Sequence, residues 1–298
     1  MFFFIFDQYI TDFSLKLKTA AENKGFRTVI LTCHEIVKNL DIDFYLVGND
    51  TKTIFNYMGT TIESHDIAGV YSGINSFDPT MWPWFSKQDA EYAAKETQAL
   101  WLAILSSLPC RVINQPALDT LAGTYLSTPE IFFLAHQIGF KIPTVITLES
   151  GKQAAELLEH RVQASYADLG ETWINEKDIN QANAVTLIQN KNHFRVKENI
   201  RGTPIYATLL GNKFFTCTLD QEGSLSAIPD SEIPKQVKKW LSILHKKLNL
   251  DLAEYMFRVT EEKTWVFTGY NRPPQFSYIV YGETLLDCII DYTAEKRI

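Results

Sequence analysis

Pro204-Ile205-Tyr206-Ala207-Thr208-Leu209-Leu210-Gly211-Asn212-Lys213-Phe214-Phe215-Thr216-Cys217-Thr218-Leu219 holds two apolar, β-prone runs on either side of Gly211-Asn212. A two-residue Gly/Asn connection between such runs is a strong hairpin signal, so the stretch reads as two antiparallel strands. The chain before it has a different grammar. Phe2–Phe6 reads as a strand, Asp12–Asn23 as a helix stopped by Gly25, and Thr28–Thr32 and Phe44–Val47 as further strands. Thr51–Tyr57 opens another amphipathic stretch, and Gly69-Val70-Tyr71 is a short strand. This alternation predicts a parallel sheet with helices on its faces.

Outward from these two blocks, Ser86–Ser107 has the apolar spacing of a long helix and Cys110–Asn114 that of a strand. Thr128-Pro129-Glu130 is a helix start with Thr128 as N-cap, the helix running over Glu130–Gln137 to Gly139 and leading to a strand at Thr144–Leu148. Residues 149–163 look helical, and 164–200 hold short strands between polar turns. Pro234–Leu248 is an amphipathic helix with a lysine-rich outer face. That face is either solvated or open to an acidic partner. Strands at Tyr255–Thr260 and Thr264–Thr268 and a helix at Glu283–Thr293 follow.

The 298 residues are too many for one ordinary core and predict two or three subdomains. A net charge of -7 argues against a general nucleic-acid-binding field. The apolar opening Met1–Phe6 is far shorter than the about 20 residues of a membrane span and lacks the basic start of a signal peptide. Cys33, Cys110, Cys217 and Cys288 are too scattered for a zinc or disulfide framework and read as reduced. A cytoplasmic location is the expectation. The six histidines have no metal spacing, and no GxSxG elbow is present. No glycine fingerprint follows the first strand, where the text is Asp7-Gln8-Tyr9-Ile10. Met81-Trp82-Pro83-Trp84-Phe85 reads as a buried plug or an exposed recognition loop.

Four stretches carry a family resemblance. The first is Asn114-Gln115-Pro116 with Ala135–Thr144, and the second Val196-Lys197-Glu198-Asn199-Ile200-Arg201-Gly202. The third is the hairpin Ile205–Phe215, and the fourth Trp265-Val266-Phe267-Thr268-Gly269-Tyr270-Asn271-Arg272-Pro273-Pro274. In this order they resemble the ATP-grasp superfamily, in the branch of ribosomal-protein glutamate ligases and ligases that crosslink ribosomally made peptides. The resemblance implies an α/β and α+β architecture. Residues 1–115 would form an N-terminal parallel α/β domain. Residues 116–197 and 198–298 would form two α+β subdomains flanking a cleft. It also implies ATP in that cleft, phosphorylation of a carboxylate, and attack by an amine.

Against that pattern the sequence is depleted. The resemblance puts the family's metal Glu at Gly269, its metal Asn at Asn271 and its metal Asp at Met256; of these only Asn271 bears an oxygen ligand. Glu254 lies two residues before Met256, on the same strand face, and is a weak substitute ligand that needs a shift of about 7 Å. The family's phosphate-facing arginine falls near Tyr206, and its lysines near Thr124 or Tyr125 and near Ser165 or Tyr166. A triphosphate needs cations for transfer, so these losses argue against catalysis.

The expectation is a non-catalytic protein with no catalytic residues assigned and no cofactor or metal, which binds a peptide or a partner protein such as an active ligase. Nucleic acid, membrane and oligomeric state are not indicated. Glu198, Arg201, Asn271 and Arg272 are the candidate binding residues. Glu198 also reads as a surface carboxylate, Arg201-Gly202 as a turn, and Arg272 as a loop cation paired with a surface acid. The alternative is an active ATP-dependent carboxylate–amine ligase using ATP and magnesium through Glu254, Asn271, Glu198 and Arg201. An unrelated transferase rests on the N-terminal pattern alone.

Overall fold

The structure, a computed structural model, describes residues 1–295 except 49, 119, 149–161, 167–193 and 221. The first elements are β1 (Phe2–Asp7), α1 (Asp12–Asn23), β2 (Arg27–Thr32), α2 (Cys33–Asn39), β3 (Leu40–Val47), β4 (Asp50–Tyr57), β5 (Thr60–Glu63), β6 (Ile67–Gly73), α3 (Lys87–Ser107) and β7 (Arg111–Ile113). Then come α4 (Thr128–Ile138), β8 (Val145–Leu148), β9 (Val162–Tyr166) and β10 (Phe194–Glu198). The rest of the described chain holds β11 (Thr203–Leu210), β12 (Lys213–Leu219), β13 (Leu225–Ala227), α5 (Lys235–Lys247), β14 (Leu252–Val259), β15 (Trp265–Asn271) and α6 (Phe276–Ala294).

By internal contacts the chain forms two compact units. Met1–Leu126, Tyr206–Tyr255 and Tyr270–Ile298 make the first; Ser127–Ile205 and Met256–Gly269 make the second. A five-stranded sheet, order β13-β12-β11-β14-β15, includes the hairpin at Gly211-Asn212.

The first unit is built on a parallel sheet of order β2-β1-β6-β7. The run Phe2–Phe6 is apolar at every position because both faces of β1 are covered, as parallel sheets require. Phe2, Phe4 and Phe6 pack with Ala90, Ala94, Trp101, Ile104 and Leu105 of α3. The Phe6 and Trp101 rings meet edge-on, centroids 4.8 Å apart. Phe3 and Ile5 pack on the other side with Phe13 and Leu17 of α1 and Leu285, Leu286, Ile289 and Ile290 of α6.

Several local expectations change. β3, β4 and β5 form their own antiparallel meander, so Thr51–Tyr57 belongs to a strand, with Thr53 and Phe55 buried at a period of two. Ser127, not Thr128, caps α4: the Glu130 carboxylate accepts from the Ser127 N–H (2.8 Å) and hydroxyl (2.7 Å), as in a capping box. The last helix begins at Phe276, and Gly282 breaks it with φ 43° and ψ -121°, so only its second half matched the apolar spacing. The aromatic run at 81–85 splits, with Trp82 buried and Trp84 and Phe85 exposed. The helix expected over 149–163 lies outside the described residues up to 161, and Val162 opens β9.

In the second unit β8, β10 and β9 form an antiparallel sheet. Phe132, Phe140, Phe257, Trp265 and Phe267 form its aromatic core, and the Phe267 N–H donates to the Lys141 carbonyl (2.8 Å). Among the described residues no helix is long and apolar enough to cross a membrane.

Candidate functional site

In the first unit the segment Asn271–Ser277 leaves β15 and starts α6. Two prolines in this turn, Pro273 and Pro274, remove two backbone donors before the helix begins. The first N–H groups of a helix need acceptors from outside it, and Gln275 at the N-cap offers no side-chain bond. Glu254 of β14 supplies the acceptor. Its Oε2 accepts from the N–H groups of Gln275 (3.2 Å), Phe276 (2.9 Å) and Ser277 (2.9 Å). The side chain is wholly buried. Burial pushes its pKa up, while the three N–H bonds pull the other way. The carboxylate also faces the positive end of the α6 dipole. Both oxygens are turned to the helix end, Oε1 lying 3.2 Å from the Phe276 nitrogen.

Arg272 is partly buried beside this turn. Its Nη1 donates to the carbonyls of Ala122 (2.5 Å) and Gly123 (2.7 Å), and its guanidinium lies over the Tyr125 ring, 5.4 Å from the centroid. It is therefore not paired with a surface acid, one of the readings open from sequence. Burial lowers its pKa. Asn271 is the last residue of β15 and is partly buried. Tyr206, where the resemblance implies an arginine, stacks on Phe276 with centroids 3.8 Å apart and planes 20° apart.

In the second unit Glu198 is exposed at the end of β10, and its Oε2 accepts from the N–H and hydroxyl of Thr144, both at 3.0 Å. Arg201 is exposed. Gly202 after it has φ +151°, and a Cβ there would lie 2.4 Å from the Val259 carbonyl oxygen, so this position is a tight turn that only glycine fits. Arg258 donates to the Gly202 carbonyl (3.2 Å). Met256 and Gly269 face each other across β14 and β15: a Cβ on Gly269 would lie 2.8 Å from the Met256 Cε. The structure thus groups Glu254, Asn271 and Arg272 in one unit and Glu198 and Arg201 in the other.

Sequence reasoning passed over one cation. Lys197, the neighbour of Glu198, is 8% exposed, and its Nζ lies 3.5 Å from the Thr268 carbonyl oxygen. Its place next to Glu198 on a strand was a signal that the two side chains point to opposite faces. Among the described residues no three His, Cys, Asp or Glu side chains gather at metal-ligand spacing.

No protein-family model matches the chain, and no curated protein matches it in sequence. Solved structures do match. The macrocyclase MdnC of Microcystis aeruginosa MRC, bound with the precursor peptide MdnA, superposes with a TM-score of 0.70 at 17% identity, over 99% of this chain and 100% of that one. A RiPP-associated ATP-grasp ligase of Chryseobacterium gregarium, in complex with ADP and a leader and core peptide, gives 0.67 at 14% identity, over 99% and 95%. The D-alanine-D-alanine ligase of Coxiella burnetii gives 0.60 at 14% identity, over 99% and 94%. The mixed architecture, one parallel sheet with antiparallel sheets and helices, is the ATP-grasp fold.

Proposed function

We propose that this ATP-grasp fold binds a peptide or a partner protein and does not carry out magnesium-dependent phosphoryl transfer. The observation that carries the reading is the Met256–Gly269 contact. At the two positions where the family resemblance calls for carboxylates, a thioether methyl fills the space beside a glycine. Neither group suits a hard cation that demands oxygen ligands. The residues present therefore do not fit a magnesium–nucleotide complex, and no step through one is derived.

Two further observations support the reading. Glu254, the nearest substitute carboxylate, is wholly buried and engaged with three backbone N–H groups, so recruiting it to a metal would uncap α6. Tyr206 places an aromatic stack where a phosphate-facing arginine is implied. A peptide partner is supported by the superposed ligases that hold precursor peptides. The three-part division after residues 115 and 197 is part of the same proposal.

Calorimetric titration with ATP and magnesium chloride tests it. The expected result is no magnesium-dependent heat. Micromolar, magnesium-dependent binding, with ADP release in the presence of a peptide, would overturn it in favour of a working carboxylate–amine ligase.

A further inference from the structure

Among the described residues β3 is the longest strand at the edge of a sheet. It pairs with β4 on one side, and its eight residues run without a bulge from Leu40 opposite Tyr57 to Val47 opposite Asp50. The parity of that ladder says which groups the free side offers. A two-residue hairpin closes on a pair that exchanges backbone hydrogen bonds, so Val47, Tyr45, Asp43 and Asp41 turn their N–H and C=O groups to β4. Leu46, Phe44, Ile42 and Leu40 turn theirs outward, and no described residue takes up those of the first three.

Open edges are normally protected by shortness, bulges, proline or lysine. The run Leu40-Asp41-Ile42-Asp43-Phe44-Tyr45-Leu46-Val47 has no proline, lysine or arginine. Its apolar tip is bare, with Tyr45 48%, Leu46 69% and Val47 72% exposed. Other sheet edges differ. β7 and β13 have three residues each and β5 four, and a bridge from Lys141 to Val266 engages β15.

The two charges of β3 decide what it can pair with. A strand that meets its own copy across a two-fold axis runs antiparallel to it. Three registers form six or more backbone hydrogen bonds through the outward residues. With Ile42 opposite Ile42, Asp41 faces Asp43 twice. With Ile42 opposite Phe44, Asp43 faces Asp43. Like charges directly opposite are destabilising, so both registers are disfavoured. With Phe44 opposite Phe44, Asp43 faces Tyr45, Asp41 faces Val47, and no like charges meet. This register makes six hydrogen bonds, two at the Phe44 pair and two at each pair of Ile42 with Leu46. It also sets the exposed Leu46 beside Ile42 of the other copy, on the sheet face whose Ile42 and Phe44 pack on the core.

We propose that two copies of this chain associate through β3, paired antiparallel with Phe44 opposite Phe44, joining their three-stranded sheets into one of six strands. This goes beyond the peptide-binding reading and is independent of it.

Sedimentation velocity of the full chain over about 1–100 μM tests it, and the expected result is a reversible dimer. Leu46→Pro removes an outward N–H and leaves the β4 ladder its donors, while Tyr45→Asp sets a carboxylate opposite Asp43 twice. Each should raise the dimer dissociation constant by about ten-fold or more with the far-ultraviolet circular dichroism unchanged. Tyr45→Lys, which sets an ammonium there instead, should lower it by about three-fold. Tyr45 is half exposed, so its variants serve if the proline variant does not fold. The register is read by mixing and oxidising Asp43→Cys and Tyr45→Cys chains. Residues 43 and 45 face each other as a pair without backbone hydrogen bonds, whose spacing suits a disulfide, so the 43–45 crosslink should outnumber 43–43. A wild type that stays monomeric throughout, a dimer that neither Leu46→Pro nor Tyr45→Asp weakens, or a dominant 43–43 crosslink would overturn the proposal.

Discussion

At the scale of single residues, the clearest structural duty belongs to Glu254. Truncating it leaves three buried N–H groups without an acceptor. Glu254→Ala should cost about 2–4 kcal/mol, read as a fall in the urea midpoint, and Glu254→Gln, which keeps one oxygen, should cost less. A full-stability alanine variant would contradict the capping role. Counting by twos along the strand placed Glu254 on a face; it gave no sign that the start of a helix 21–23 residues later closes over it. His245 offers a pH test. Burial pushes its pKa from the ordinary 6.5 down to about 4, with Nδ1 2.8 Å from the Tyr255 hydroxyl. The unfolded chain binds the proton more readily in that window. The stability held by the neutral ring is complete above pH 6.5 and is lost as pH falls toward about 4, by at most about 3 kcal/mol. Glu254 works in the opposite sense, since its raised pKa favours the folded state as pH falls. Comparing thermal midpoints of the wild type and His245→Gln between these pH values isolates the histidine: the variant should show the flatter profile.

At the scale of elements, the β14–β15 pair is tuned to its glycine. Gly269 has φ +150°, a conformation strained for any L side chain, and the Met256 Cε takes the space a Cβ would need. Gly269→Glu should therefore destabilise by about 1–3 kcal/mol. Met256→Ala removes the collision, so the double variant should lose less than the sum of the singles in urea unfolding; strict additivity would show that the two side chains do not interact. Elements with local chemistry of their own were legible. The bounds of α1 follow from its spacing and the chain reversal at Gly25, and those of β12 from the Gly211-Asn212 hairpin. β4 was harder to read because Thr51–Tyr57 is too short to separate a period of two from helical spacing, and its place in a separate sheet depends on β3 and β5.

At the scale of the molecule, the apolar opening run announced a strand buried on both sides, but not what covers it. One covering element, α6, comes from the far end of the described sequence. Ile289 of that helix is wholly buried against the layer that holds Phe3, Ile5 and Phe13. Ile289→Ala should cost about 2–5 kcal/mol, and near-ultraviolet circular dichroism should report loosening of the aromatic groups of the first unit. The candidate site was legible only in part for the same reason. The segment Asn271–Pro274 stood out as text, but Ala122 and Gly123, whose carbonyls hold the Arg272 guanidinium, lie 150 and 149 positions earlier.

The same closure sets an order for biosynthesis. While the ribosome is still making the middle of the chain, β1, β2, β6 and β7 are already present, yet the face bearing Phe3 and Ile5 lacks α6. At about 5–20 residues per second, that apolar surface stays incompletely covered for roughly ten seconds or more after β7 is made. A nascent chain stalled before residue 276 should therefore bind chaperones that recognise exposed apolar surface, and release them once the final helix has emerged.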